Sequence, residues 1–383
     1  MLSGIAFTDE QRLIADTAAA FARERVAPGA AGRDHDARFP TELVREMAEL
    51  GLFGVKVAVD DGGAGADDVS YVLAMHAVSR ACASLGVTMA VCNLAANILA
   101  TEANQEQKAR FLTPYLEGKL GPGSLCLSEP HCGSDAAALM TTAVDDGDAW
   151  VLNGNKQWIT NGGFAGMHIV FAKTSPEKKS HGISAFLVEA GTPGLTVGKA
   201  EKKMGLRSSN TVGLSFEDCR VPKQNLLGVL DRGYSIALKN LDGGRIGIAA
   251  QACGIAEAAL DEGVRYAKDR TAFGAPIEKL QAIQFAVADS AVDVDTAKLL
   301  TLRAAMAKDA GSPRTARESS MAKLFASEAA NRVADRMLQV HGGYGYVEEY
   351  AIERLYRDAR VTRIYEGTSE VQRIVISRDV LGM

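Results

Sequence analysis

The stretch GKLGPGSLCLSE (118–129) divides two kinds of chain. Its glycines and Pro122 punctuate a helical pattern and open a short apolar run, the composition of a helix stop followed by a strand. Before it, apolar residues recur at helical spacing. FTDEQRLIADTAAAFARERVAP (7–28) opens with a Thr8-to-Gln11 capping box and is expected to stop at Pro28. PTELVREMAELG (40–51) ends on Gly51, a common helix terminator. Residues 68–83, 84–103 and 104–119 read as three more helices. The second is apolar nearly all round and is expected to be buried.

After the divide, from 124 to 217, the pieces are short: SLCLSE, LMTTAV, AWVLNG, HIVFAK, ISAFLVE, LTVGKA and TVGLSFE. DDGD, NGN and GTPG separate them at strand-like intervals. The helical period returns over 233–269, 277–309 and 314–341, Ala-rich and long, as in a four-helix bundle. The expected fold is α+β in three domains. An all-α domain spans 1–122, an antiparallel β-domain 123–230 and a four-helix bundle 231–383.

The 383 residues carry a net charge of −5. That argues against a nucleic-acid binder, which needs a basic stripe to neutralise phosphates. The N-terminus mixes charges and lacks an apolar signal core, so a cytoplasmic protein is expected, or a matrix protein if a mitochondrial leader has been trimmed. No apolar run is expected to approach the eighteen or so residues that span a bilayer. The six cysteines form no C-x-x-C pair and the six histidines no ligand spacing, so no metal is expected. No G-x-G-x-x-G opens a helix after a strand, and GLTVGKA (194–200) has a P-loop's look without its spacing.

What remains is a set of polar, glycine-rich stretches, including LCLSEPHCGSD (125–135), WITNGG (158–163) and RIYEGTSEVQR (363–373). WITNGG alone reads as a turn with a buried tryptophan. In the last stretch, Ser369 and Gln372 form S-x-x-Q, with Ser369 expected to cap a helix. Glu366 then lies on a turn just outside that helix, either as a solvated charge or as a base held over something.

SEPHCGSD, KQWITNGG, DRTAFGAPIEKLQAIQ, MLQVHGGYGY, RLYRDARV and IYEGTSEVQR follow in that order. Together they resemble the acyl-CoA dehydrogenase family over essentially the whole chain. The likeness is to its short-chain and short branched-chain members (butyryl, isobutyryl and 2-methylbutyryl types). It implies FAD between the β-domain and the C-terminal helices. It also implies an acyl-CoA substrate, electron-transferring flavoprotein as acceptor, and a homotetramer built as a dimer of dimers, with no membrane or nucleic-acid partner.

By resemblance, Glu366 removes the α-proton of the thioester and Gly367 leaves room for substrate. Leu125, Cys126, Leu127, Ser128, Gly133 and Ser134 wrap the flavin, Ser134 also touching substrate. Trp158 and Ile159 pack on the ring system, and Thr160 hydrogen-bonds to it. Arg270, Phe273, Gln281, Gln339, Gly342 and Gly343 hold the pyrophosphate and adenosine, partly from a neighbouring subunit. Thr368 and Glu370 add further cofactor contacts. Asp242 and Arg245, in DGGR, meet the substrate, with a purely structural Arg245 as the other reading. The isovaleryl type carries its base just before that arginine; here the position is Gly244, which keeps the base at Glu366. Glu129, His341 and Tyr365 are read as structural, Cys126 and Cys132 as small spacers. Residues 91–104 are expected to floor the acyl pocket. A non-catalytic acyl-CoA binder and a DNA-associated flavoprotein of the same fold are the rival readings; Glu366 and the acidic charge argue against them.

Overall fold

A computed structural model describes residues 5–383. Helix α1 (Asp9–Phe21) begins as its sequence requires: Thr8 accepts from the Gln11 N–H, and the Gln11 side chain accepts from the Thr8 N–H. Winding does not stop at Pro28. It widens into a π-turn at Ala22–Val26, tightens at Ala27–Gly29 and continues as helix through His35. Pro28 enters a new first turn, where its missing N–H leaves nothing unsatisfied. Helix α2 (Thr41–Glu49) ends before Gly51, whose φ of +74° lets its N–H reach back to the Ala48 carbonyl.

Helices α3 (Asp68–Ala81) and α4 (Ala83–Glu102) are joined through the extended Cys82. With a window of mean hydropathy 1.6, α4 is long and apolar enough to cross a membrane, which corrects the expectation that no such run exists. However, 89% of that window is buried inside the protein, so α4 serves as a core helix.

The strands of the main sheet are β1 (Ser124–Cys126), β2 (Thr142–Asp145), β3 (Ala149–Thr160), β4 (Met167–Lys173), β5 (Ile183–Glu189), β6 (Leu195–Val197), β7 (Thr211–Pro222) and the unforeseen β8 (Leu226–Leu227). They form one sheet in the order β6-β7-β3-β2-β4-β5-β8, with β1 beside β4. The sheet is mixed rather than antiparallel, because β1 and β2 each pair with β4 in parallel. β4 and β5 are buried on both faces, which explains their unbroken apolar runs. One face joins the helical core through Ile169, Phe171 and Leu187. The other closes a second core around Val170, Phe186 and Leu214.

The C-terminal helices are α5 (Gly233–Asp269), α6 (Gln281–Asp309), α7 (Thr315–His341), α8 (Ala351–Val361) and α9 (Ser369–Leu381). α6 starts later than its pattern suggested, because Ile277–Lys279 forms a separate 3-10 turn after Pro276. α7 packs against α5, α6, α8 and α9, while α3 and α4 cover α5. α8 ties the parts together: Arg357 pairs with Asp34 at 2.7 Å and donates to the Met204 carbonyl, and Asp358 accepts the Leu206 N–H at 2.6 Å. All six cysteines are buried and unpaired.

Candidate active site

The turn between α8 and α9 carries Glu366 at φ +52° and Gly367 at φ +85°. A glutamate in the left-handed region is strained, and such strain persists only where surroundings hold it. Here they do. Gln372 Nε2 donates to both the Glu366 and Gly367 carbonyls, at 3.2 and 2.9 Å, and Lys323 Nζ donates to the latter at 2.6 Å. The helix cap is Thr368, not Ser369. Thr368 has the extended backbone a cap requires and accepts from the Val371 N–H, while the Ser369 hydroxyl donates to Glu328.

Glu366 as a residue keeps some exposure, but its Oε2 is shut off from solvent and has no hydrogen-bond partner among the described residues. Burial pushes the carboxyl above the ordinary glutamate range, against the pull of Lys323 and then Arg245. A Cβ built on Gly244 would stand 2.7 Å from Oε2, so that glycine makes room for the carboxylate. Arg245 is buried and donates to Asp242 Oδ1 at 2.9 Å. The Tyr365 hydroxyl donates to Gln251. A carboxylate with raised proton affinity and a free lone pair suits proton abstraction.

The loop from Leu125 to Ser134 is anchored from inside. Glu129 accepts from Lys156 Nζ at 2.7 Å, from the Thr141 N–H and hydroxyl, and from the Met140 N–H. Lys156 also donates to the Leu127 carbonyl, and the Gln157 N–H to the Ser128 carbonyl. Glu129, His131 and Cys132 bring ligand-type atoms within 4.8 Å of one another, but the Glu129 carboxylate is spent on Lys156 and Thr141. Cys126 and Ile159 are buried in the second core of the sheet. Gly133 and Ser134 are exposed.

Trp158 overturns the buried-tryptophan reading. It is 62% exposed at φ +63°, where the β3–β7 register slips. The bulge turns the indole out of the alternation that would have buried it.

Arg270, Gly342 and Gly343 come together in a cavity of 730 Å³ walled by Tyr266, Tyr344 and Tyr350, with the Arg270 guanidinium over the Tyr344 ring. Phe273, 93% exposed at φ +54°, and the exposed Gln281 and Gln339 are not among its lining residues. Neither are Glu366, Ser128 and Trp158. Within one chain Phe273, Gln281 and Gln339 thus fall outside the cavity, which leaves two separate candidate places for the cofactor, the Trp158 bulge and the Arg270 cavity. Both suit a flavin dinucleotide: an exposed indole at a strained bulge, an arginine beside aromatic walls, and Gly133, Gly342 and Gly343, where nothing lies within 4 Å of an added Cβ. Lys323 and Lys156 were not singled out in the sequence, and Gln372 only as part of a helix-start pattern, not as a clamp on the Glu366 turn. Their signal was a polar side chain on a buried stripe.

This fold and site define a flavin-dependent dehydrogenase, and the chain belongs to the acyl-CoA dehydrogenase family. It matches that family's N-terminal domain over residues 8–119, its middle domain over 124–219 and its C-terminal domain over 231–381. It is 51% identical over 375 residues to the short-chain specific acyl-CoA dehydrogenase, mitochondrial, of Mus musculus, covering 97% of this chain and 90% of that one. Butyryl-CoA dehydrogenase from Megasphaera elsdenii superposes with a TM-score of 0.95 at 42% identity, covering 98% and 99% of the two chains. A chain from a structure of the electron transferring flavoprotein of Acidaminococcus fermentans superposes with a TM-score of 0.96 at 45% identity, with the same coverage. The protein is thus an FAD-dependent oxidoreductase that dehydrogenates acyl-CoA.

Proposed function

We propose that the substrate is a short acyl-CoA, straight or α-methyl-branched, converted to the trans-2-enoyl-CoA with Glu366 as the base. The observation that carries this reading is the unpartnered, solvent-shielded Oε2 of Glu366 on a turn held in a strained conformation. Proton removal beside a thioester is difficult, and a desolvated carboxylate is the better base for it. FAD, when bound, supplies the acceptor for the β-hydride. A backbone N–H beside the base polarises the thioester carbonyl. Arg245, tied to Asp242, borders the base on the α5 side.

The short acyl chain is read from residues 91–104, mostly on α4, as the floor of the acyl pocket. Leu94, Ile98 and Leu99 are buried, and Asn97 donates to Asn240 of α5 at 2.6 Å. The named short-chain and butyryl relatives point the same way. In an anaerobic titration, butyryl-, isobutyryl- or 2-methylbutyryl-CoA is expected to bleach the flavin band. A higher kcat/KM for octanoyl-CoA would overturn the chain-length assignment, and a flavin bleached by no thioester would overturn the reaction.

Electron-transferring flavoprotein as acceptor and a homotetramer belong to the same reading. Phe285, Val292, Leu299 and Met306 lie exposed along α6 at seven-residue intervals. Such a stripe supports packing against another copy, as does the separation of the Arg270 cavity from Glu366. Leu299→Glu is expected to lower the assembly state in sedimentation and weaken FAD retention. An unchanged sedimentation coefficient would argue against α6 as an interface.

A further inference from the structure

Lys323 sits where lysines rarely sit. It lies on the buried stripe of α7 that includes Ser319, Ala322, Ala326 and Ala330, and is itself fully buried. Its hydrogen bond goes to a carbonyl rather than a carboxylate: Nζ donates to Gly367 O at 2.6 Å. That carbonyl belongs to the turn bearing Glu366, in which two successive residues have positive φ. Further along α7, Glu328 accepts from Ser369 at 2.8 Å and from Arg363 at 2.9 Å, gripping the turn's other side.

A methionine would fill the same space without the cost of burying a charge. The charge therefore calls for an electrostatic reason. Lys323 is surrounded by Glu366, Glu328 and Glu370 as anions and by Arg245 of α5 as a cation. Glu366 in turn faces Lys323 and Arg245, with the phenols of Tyr71 from α3 and Tyr365 beside it. Burial lowers Lys323 to about 8, so its charge is present over the acidic and neutral range.

We propose that Lys323 is a positioning residue for dehydrogenation: its ammonium clamps the Gly367 carbonyl, fixing the Glu366 turn, and its charge favours the ionised base. This rests on the reading of Glu366 as the base. The clamp and the charge are separable. Lys323→Gln can still donate one hydrogen bond but has no charge, Lys323→Arg keeps the charge, and Lys323→Met has neither.

The test uses FAD-loaded protein and follows the rate of flavin reduction by butyryl-CoA from about pH 6 to about pH 9, the range over which a tuned base titrates. In Lys323→Gln the acid limb is expected to move to higher pH. Its rate deficit should be roughly tenfold larger at the acid end, the equivalent of one pKa unit. Lys323→Arg should keep the parent's limb. Hydrogen exchange at the Ser369 amide, which bonds to the Arg363 carbonyl, reads the turn without catalysis and should be faster in Lys323→Met than in Lys323→Gln. A Lys323→Gln deficit that is equal at every pH overturns the proposal, as does a parent-like profile. If Lys323→Met does not fold, the Gln and Arg variants still decide. Glu366→Gln separates the two readings: if it turns over normally, the base assignment fails, whereas an inactive Glu366→Gln beside an unmoved Lys323→Gln limb sinks only the role of Lys323.

Discussion

Glu366→Gln is expected to lose about 10³-fold or more in the rate of flavin reduction, the upper range for removing a positioned general base, while FAD stays bound. The amide has nearly the carboxylate's shape, so the strained turn and its clamps from Gln372 and Lys323 should survive. The pH dependence follows from burial. Desolvation raises the Glu366 pKa in the folded protein, and the base acts only when ionised. The parent's rate should therefore climb with pH through that raised pKa, and the variant should show no such limb. Stability responds with the opposite sign. A carboxyl whose folded pKa exceeds its unfolded value favours folding at low pH, and that contribution is lost as pH rises through the folded pKa. Glu366→Gln should then match or exceed the parent in thermal midpoint at neutral pH. A variant that keeps turnover, or one that loses FAD along with activity, would contradict the assignment.

The parts of this molecule that were legible in the sequence are those set by local chemistry. Thr8 and Gln11 needed only each other to declare a helix start, and Gly118 to Ser124 declared the passage from helix to strand. Pairing partners were less accessible. The parallel association of β1 with β4 joins residues over forty positions apart, such as Ser124 and His168, and no periodicity encodes it. Pro28 misled because a helix can restart at a proline as readily as end at one. Trp158 misled because alternation assumes regular pleating, which the bulge breaks. Thr368 and Ser369 are both good caps, and backbone geometry one residue earlier decided between them. At the site, the resemblance supplied Glu366 and Gly244, but only coordinates revealed that the glycine leaves space for the glutamate's own carboxylate. Buried lysines were the hardest to see, since composition argues that lysines lie outside. Lys323 did leave a trace, three residues before Ala326 and four after Ser319 on a stripe otherwise made largely of small residues.

Lys156→Met should produce the largest loss of stability, about 3–5 kcal/mol, as expected when one partner of a buried ion pair is removed. Lys156 and Glu129 are both almost wholly inaccessible, and their charged atoms lie 2.7 Å apart. Burial alone would raise Glu129. Lys156, Thr141 and the Met140 N–H outweigh it and hold the carboxyl below its ordinary range. In the parent, then, Glu129 stabilises the fold above the unfolded glutamate pKa, and this is lost as pH falls through the depressed folded value. Without Lys156 the balance tips the other way: burial dominates, the folded pKa rises, and the variant should be relatively better off in acid. The gap in denaturation midpoint between parent and Lys156→Met should therefore shrink as pH falls. The same ammonium supports the Leu127 carbonyl inside the loop expected to wrap the flavin, so the variant should also release FAD more readily at neutral pH. The double variant Lys156→Met/Glu129→Gln supplies the control. By removing the stranded anion it should recover part of the stability, because replacing both partners of a buried pair costs far less than breaking it. Equal losses in the single and double variants would mean that packing around the lysine stem, and not its charge, holds the loop in place.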